Sequence, residues 1–202
     1  MTLEKILESR EARVRRQREL LEANPGLSLL CLTVQLPGPV KRNRSSLVIA
    51  EAGVRAVREA FRVEFEELRD LETGYEGFFL VAISPVEAKR LACQIEDSHP
   101  LGRLMDLDVI VVAGQPLEPG RVHSRFALRP GSGLAAAEYG LSSTAAPAAV
   151  IPQPIGRGDL GLEPRRCLLC GNEVRHCMRA KTHTTEELLA KIDQMVDNYL
   201  NL

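Results

Sequence analysis

The sequence has no excess of either charge, no long apolar run and no even set of cysteines, and each absence excludes a class of function. Lys and Arg total 26 against 27 Asp and Glu in 202 residues, a formal net charge of -1. There is therefore no overall basic field of the kind that marks a nucleic-acid binder, and any anionic partner must be met by a local cluster. No stretch approaches the roughly 18 uninterrupted apolar residues of a membrane span. The opening MTLEKILESREARVRRQREL is too charged for a signal peptide. These features predict a cytoplasmic protein with neither a nucleic-acid nor a membrane partner. The five cysteines are an odd number, and three of them crowd between 167 and 177, which reads as reduced thiols or metal ligands in a reducing compartment.

What is present is a chain with 45% hydrophobic and 26% charged residues, long enough for one buried core and too short for two full-sized domains. The spacing of Leu3, Ile6, Leu7, Val14, Leu20 and Leu21 behind Thr2 predicts a charged first helix that stops at NPG, Asn24 to Gly26. LSLLCLTVQL, closed by PGP, reads as an interior strand. A helix capped by Ser45 or Ser46 follows, with Ala52, Ala56, Ala60 and Phe61 at helical spacing up to about Arg62. VEFEELRDL and GFFLVAIS read as strands, and Pro85 suits the first turn of another helix. Thr184 and Glu187 form a capping box ahead of a terminal amphipathic helix. The predicted class is α/β (α+β): a single domain over 1–202 with a mixed sheet flanked by helices.

The stretch SHPLGRLMDLDVIVV, Ser98 to Val112, sets two aspartates in what is otherwise the apolar spine of a buried strand. Side chains at i and i+2 of a strand share a face, about 7 Å apart, so Asp106 and Asp108 project together. Two like charges at the edge of a low-dielectric core require a raised pKa, an arginine partner or a bound cation. Magnesium suits the pair, because it takes hard oxygen ligands and completes its shell with water and phosphate oxygens. Gly102 and Arg103 just ahead read as a loop and a cation poised over phosphates, with His99 nearby as a candidate base. Phosphoryl or nucleotidyl transfer is the chemistry suggested. An isolated Asp-x-Asp is more often an idle pair on an exposed strand end, and the flanking VIVVA and HPLGR are what count against that reading here.

A second cluster is RRCLLCGNEVRHCMRAKTH, Arg165 to His183. Cys167, Cys170, Cys177 and His183 supply three thiols and an imidazole at spacings that a tetrahedral zinc site accepts, while small buried thiols packing a helix turn are an equal alternative. Arg165, Arg166, Arg175, Arg179 and Lys181 concentrate five cations in this stretch with only Glu173 against them. Arginine forks match phosphate oxygens, so the stretch reads as an anion-binding wall.

SHPLGRLMDLDV and PRRCLLC, with the following Cys177, Arg179, Lys181, Thr182 and His183 and the earlier PGPVK at 37 to 41, resemble the apo-citrate lyase phosphoribosyl-dephospho-CoA transferase family, from about Leu7 to the C-terminus. The resemblance implies a nucleotidyltransferase-like enzyme. Its reaction would move the phosphoribosyl-dephospho-CoA group of 2'-(5''-triphosphoribosyl)-3'-dephospho-CoA onto a serine of the citrate lyase acyl carrier (gamma) subunit, releasing pyrophosphate. It gives Asp106 and Asp108 to magnesium, and Arg103, Arg165, Arg166, Arg179, Lys181 and Lys41 to the phosphates of the precursor. The chain departs from the family pattern where residues 126–163, rich in Gly, Ala, Pro and Ser, separate SR at 124 to 125 from PRR at 164 to 166. That stretch is expected to be a flexible surface insertion. Two other readings stand beside this one: a transferase acting on the malonate decarboxylase carrier, and a non-enzymatic zinc-stabilised binding module.

Overall fold

The computed structural model describes residues 2–114 and 150–202. Helix α1, Leu3–Ala23, starts where the Thr2 side chain accepts the Lys5 N–H. After β1, Ser28–Val34, comes α2, Arg44–Ala60. Its cap is Asn43 rather than either serine: Asn43 Oδ1 accepts the Ser46 N–H at 2.8 Å, and Ser46 Oγ accepts the Asn43 N–H at 2.8 Å. Ser46 thus closes a capping box from the third helical position, where serine works as well as glutamate. β2, Val63–Leu71, and β3, Gly74–Val81, form a hairpin. α3, Pro85–Ser98, begins with a capping box between Ser84 and Glu87. A short 3-10 turn, Gly102–Leu104, leads into β4, Met105–Val112. The chain closes with β5, Pro152–Pro154, then α4, Val174–Ala180, and α5, Thr185–Leu200.

The single α/β domain expected from the sequence is present, but the sheet is not mixed. Its order is β2-β3-β1-β4-β5, and every pairing among the described residues is antiparallel. The reason lies in the two helix-containing connections. β1 and β2 run the same way across α2, as do β3 and β4 across α3, but β3 lies between the first pair and β1 between the second. Each β-α-β unit is split by an antiparallel strand, giving the β-α-β-β-α-β arrangement.

One sheet face is a continuous apolar core. Leu30, Leu32, Phe79, Met105, Leu107 and Val109 pack there against Ile49 and Val57 of α2, Ala88 and Ala92 of α3, and Ile192 and Val196 of α5. The other face is apolar only at one end, where Leu29, Cys31, Phe78, Leu80 and Ile110 meet Leu20 of α1. Its other end carries Glu76, Thr33 and Asp106 in one row across β3, β1 and β4.

The stretch expected to be an unpacked insertion differs from that expectation at its C-terminal end. Residues 126–149 lie outside the described residues, but Pro152–Pro154 pairs with Ile110–Val112 as an edge strand. Ile155, 2% exposed, enters the main core and donates its N–H to the Val109 carbonyl at 2.9 Å. Two prolines in three residues disguised the strand, since proline is tolerated on a sheet edge and almost nowhere else in a sheet.

Gly102 also acquires a packing role. A Cβ there would lie 2.4 Å from the Ile95 carbonyl oxygen and 2.7 Å from that of Glu96. Only glycine lets the turn before β4 cross the end of α3 this closely.

Candidate active site on strand β4 and a thiol cluster

Along β4, Met105, Leu107 and Val109 are buried in the main core. Asp106 and Asp108 therefore turn to the opposite, α1-side face, as strand alternation requires. Their side chains keep 32% and 41% exposure, which leaves them accessible from solvent.

The outer edge of β4 determines how that pair is held. β5 covers only Ile110–Val112, so the backbone before it would be a bare strand edge. Side chains close it instead. Glu96 Oε1 accepts the Leu107 N–H at 2.8 Å, Lys89 Nζ donates to the Leu107 carbonyl at 3.0 Å, and the Arg165 guanidinium donates to the Met105 carbonyl. Lys89 and Glu96 are 4% and 2% exposed, so these are buried charges, which the fold tolerates only when paired. Glu96 is paired twice, with Arg165 at 2.6 Å and Arg157 at 2.8 Å. Arg157 also holds Asp97 at 2.9 Å.

Two of the same cations reach the aspartates. Arg165 lies 3.5 Å from Asp106 Oδ1, and Lys89 lies 3.5 Å from Asp108 Oδ1. Gln35 donates to Asp106 Oδ2 at 3.0 Å. Burial and the neighbouring Asp108 raise the Asp106 pKa above the ordinary carboxylate value, against the opposing pull of Arg165 and Lys89. A raised acid pKa means that the charged form costs the folded state free energy. The cost is absent where Asp106 is protonated in both states and is fully present above its folded pKa. Between about pH 3 and pH 7, the stability of Asp106→Asn relative to the parent should therefore shift in the variant's favour as pH rises. Thermal melts of both proteins across that range check this, and a pH-independent difference would show that Asp106 is not perturbed.

The other candidates divide into two groups. Arg103 sits on the 3-10 turn, where burial first and then Arg165 lower its pKa, while Asp97 and Glu96 oppose that shift. Lys41 is half-buried, its pKa lowered by burial, and its ammonium donates to the carbonyl of Leu36, the neighbour of Gln35. Arg103 thus adjoins the Glu96 and Arg165 network that borders the acid pair. His99 caps the end of α3, accepts the Leu101 N–H at Nδ1, and packs its ring against Tyr199 of α5, centroids 5.5 Å apart. Of the five cations between Arg165 and Lys181, Arg165 reaches the acid pair. Arg166 is exposed, 3.9 Å from Glu163, and Arg179 and Lys181 are exposed at the end of α4.

Cys167, Cys170, Cys177 and His183 do come together, with ligand atoms all within 4.8 Å of one another. Cys170 Sγ is 3.4 Å from Cys177 Sγ and 3.2 Å from His183 Nε2. The Asn172 backbone N–H, then His183, pulls the Cys170 thiol down to about 6, while burial pushes Cys177 up to about 11.

Glu96, Lys89, Arg157 and Gln35 escaped the sequence reading. A signal existed for the first two. They lie seven residues apart on the α3 stripe that also carries the buried Ala92 and Cys93, and charges on a buried stripe need buried partners. Arg157 stands in a polar connecting segment and Gln35 near the end of the apolar run LSLLCLTVQL, and neither carried such a signal.

The fold defines a single α/β domain built from split β-α-β units. Residues 1–129 and 149–199 match the model of the family described as apo-citrate lyase phosphoribosyl-dephospho-CoA transferase, and the chain belongs to that family. Among its relatives is a probable apo-citrate lyase phosphoribosyl-dephospho-CoA transferase of Vibrio cholerae serotype O1 (strain M66-2), 34% identical over 98% of this chain and 93% of that protein. A protein of the same description from Streptococcus pyogenes serotype M18 is 30% identical over 98% of this chain and 87% of its own length. The family match resumes at residue 149, so β5, Ile155 and Arg157 fall within the shared region rather than in an insertion. No helix among the described residues is long and apolar enough to cross a membrane.

Proposed function

We propose that this chain transfers the phosphoribosyl-dephospho-CoA group from 2'-(5''-triphosphoribosyl)-3'-dephospho-CoA to a serine of the citrate lyase acyl carrier (gamma) subunit. The family membership carries the reading, and the acid pair on β4 supplies a place for the chemistry. The serine oxygen forms a bond to the α-phosphorus of the triphosphate, the bond from that phosphorus to the departing oxygen breaks, and pyrophosphate leaves with the electron pair. The nucleophile belongs to the carrier, so this chain needs no catalytic serine of its own.

Asp106 and Asp108 fit magnesium. They offer hard oxygens on one face, and burial together with the neighbouring Asp108 disfavours the charged form of Asp106, which a bound cation would relieve. Bound there, magnesium would neutralise charge developing on the phosphates. The chain's own residues supply alignment and electrostatics, on which phosphoryl chemistry chiefly depends. Arg165, 3.5 Å from Asp106 Oδ1, and Arg103, on the turn that leads into β4, suit the leaving pyrophosphate. Lys41 suits the adjoining phosphates, and Arg166, Arg179 and Lys181 suit the more distant 5'-diphosphate. The proton of the serine goes to the aspartates rather than to His99, whose ring is engaged with Tyr199. Zinc, the softer cation, suits the thiol and imidazole cluster and not the carboxylates. None of the five cysteines is in a disulfide, which supports a cytoplasmic setting.

Intact-mass measurement of the apo-carrier after incubation with this protein, the triphosphate precursor and magnesium tests the reading. The carrier should gain one phosphoribosyl-dephospho-CoA group. Labelling of a malonate decarboxylase carrier with the citrate lyase carrier left unmodified would overturn the assignment.

A further inference from the structure

We infer that the Cys167, Cys170, Cys177 and His183 cluster is a structural zinc centre, and that the ion holds the strap from Pro164 to His183 in the shape that delivers Arg165 to the acid pair. This deepens the assignment of zinc to the cluster and does not depend on the transfer reaction.

The ligand geometry is already close to what the ion requires. Zinc bound tetrahedrally at about 2.3 Å from sulfur separates two thiolates by roughly 3.8 Å. The Cys170 to Cys177 separation of 3.4 Å is near that value and far from a bonded pair, since a disulfide is about 2.05 Å long. Cys167 and Cys170 stand three residues apart on a tight knuckle. The Cys167 N–H donates to the Asn172 carbonyl, the Val174 N–H donates to the Arg165 carbonyl at 2.9 Å, and Gly171 takes the left-handed φ of +67° that the reversal needs. Cys177 comes from α4, and His183 from the residue before the cap of α5. Four ligands thus tie three consecutive pieces of chain to one point.

Apart from the Arg165 contacts and the partly buried Leu168, which packs against the main core, the strap has little else to hold it. Cys177 is the only buried residue between Gly156 and His183, while Leu169 and Met178 are exposed. A segment this poor in apolar burial requires a cross-link to keep a fixed shape, and structural zinc contributes its binding free energy directly to folding. What the shape achieves is visible at Arg165, two residues before the first ligand. It meets Glu96 at 2.6 Å and Asp106 at 3.5 Å. At the other end, α5 anchors the strap to the main core through Ile192 and Val196.

The test uses the full-length protein purified without chelator, with zinc measured by plasma mass spectrometry and no substrate present. The expected result is about one zinc per chain. Cys170→Ser and His183→Ala should each leave about a tenth or less, while Cys31→Ala and Cys93→Ala keep the full content. Cys170 and His183 are not buried, so their variants remain informative even if Cys177→Ser fails to fold. Removing the zinc should then speed amide exchange at Cys167 and Val174 by about tenfold or more, with Leu29 and Leu30 of β1 unchanged. A protein that neither carries nor takes up zinc overturns the centre. Zinc whose removal leaves exchange at Cys167 and Val174 unaltered overturns its role in shaping the strap. Both readouts are independent of turnover, so either failure is distinct from failure of the proposed transfer.

Discussion

Asp106→Asn and Asp108→Asn are each expected to lower group transfer about 10²- to 10³-fold, the scale of losing one group that meets charge in the transition state, while the protein stays folded. The substitution keeps shape and volume and removes a single charge. The fold should tolerate it because the aspartates are not what closes the strand edge: Glu96, Lys89 and Arg165 make those backbone contacts. Transfer should not tolerate it, because an amide is a weak ligand for a hard divalent cation. Initial rates at saturating magnesium, with circular dichroism as the folding control, distinguish the two effects. Ordinary turnover in both variants would show that the pair is a solvated strand end with no catalytic part.

The largest loss of stability should come from a residue that never touches the phosphates. Glu96→Ala leaves the Arg157 and Arg165 guanidiniums without their shared buried partner and frees the Leu107 N–H. Breaking a buried pair by removing one member costs about 3 to 5 kcal/mol. For a chain of this size that corresponds to a fall in Tm of roughly 6 to 20 °C. Asp97, one residue along and 54% exposed, also contacts Arg157, yet as a surface pair it contributes only about 0 to 1 kcal/mol. Denaturant unfolding of Glu96→Ala beside Asp97→Asn therefore isolates the effect of burial. Equal, small losses would mean that the network does not organise the edge of β4.

The contrast between Asp106 and Glu96 also shows what the sequence makes legible. An aspartate pair within an apolar strand stands out because period-2 alternation has no other explanation for it, and the elements from α1 to β4 appear in the predicted order. The antiparallel sheet was hidden, because local pattern reports that a helix follows a strand but not which strand slips between the two it connects. β5 was hidden by its prolines, since PQP reads as a turn until it is known to lie on an edge. Arg165 was found through its arginine-rich neighbourhood, whereas Arg166, Arg179 and Lys181 of the same neighbourhood are exposed. Sequence proximity placed them together, whereas the knuckle and α4 turn them outward. The convergence of Cys167, Cys170, Cys177 and His183 was legible in their spacing, because a tetrahedral site imposes a local constraint. The partners of Glu96 were not, because Arg157 and Arg165 reach it from about sixty and seventy residues away.

Pyrophosphate release tests the central claim most directly. It should proceed when the wild-type protein, magnesium, the triphosphate precursor and the apo-carrier are all present, and stop when any one is withheld or when the serine of the carrier is replaced by alanine. Release at an undiminished rate without magnesium, or without the carrier serine, would contradict the account.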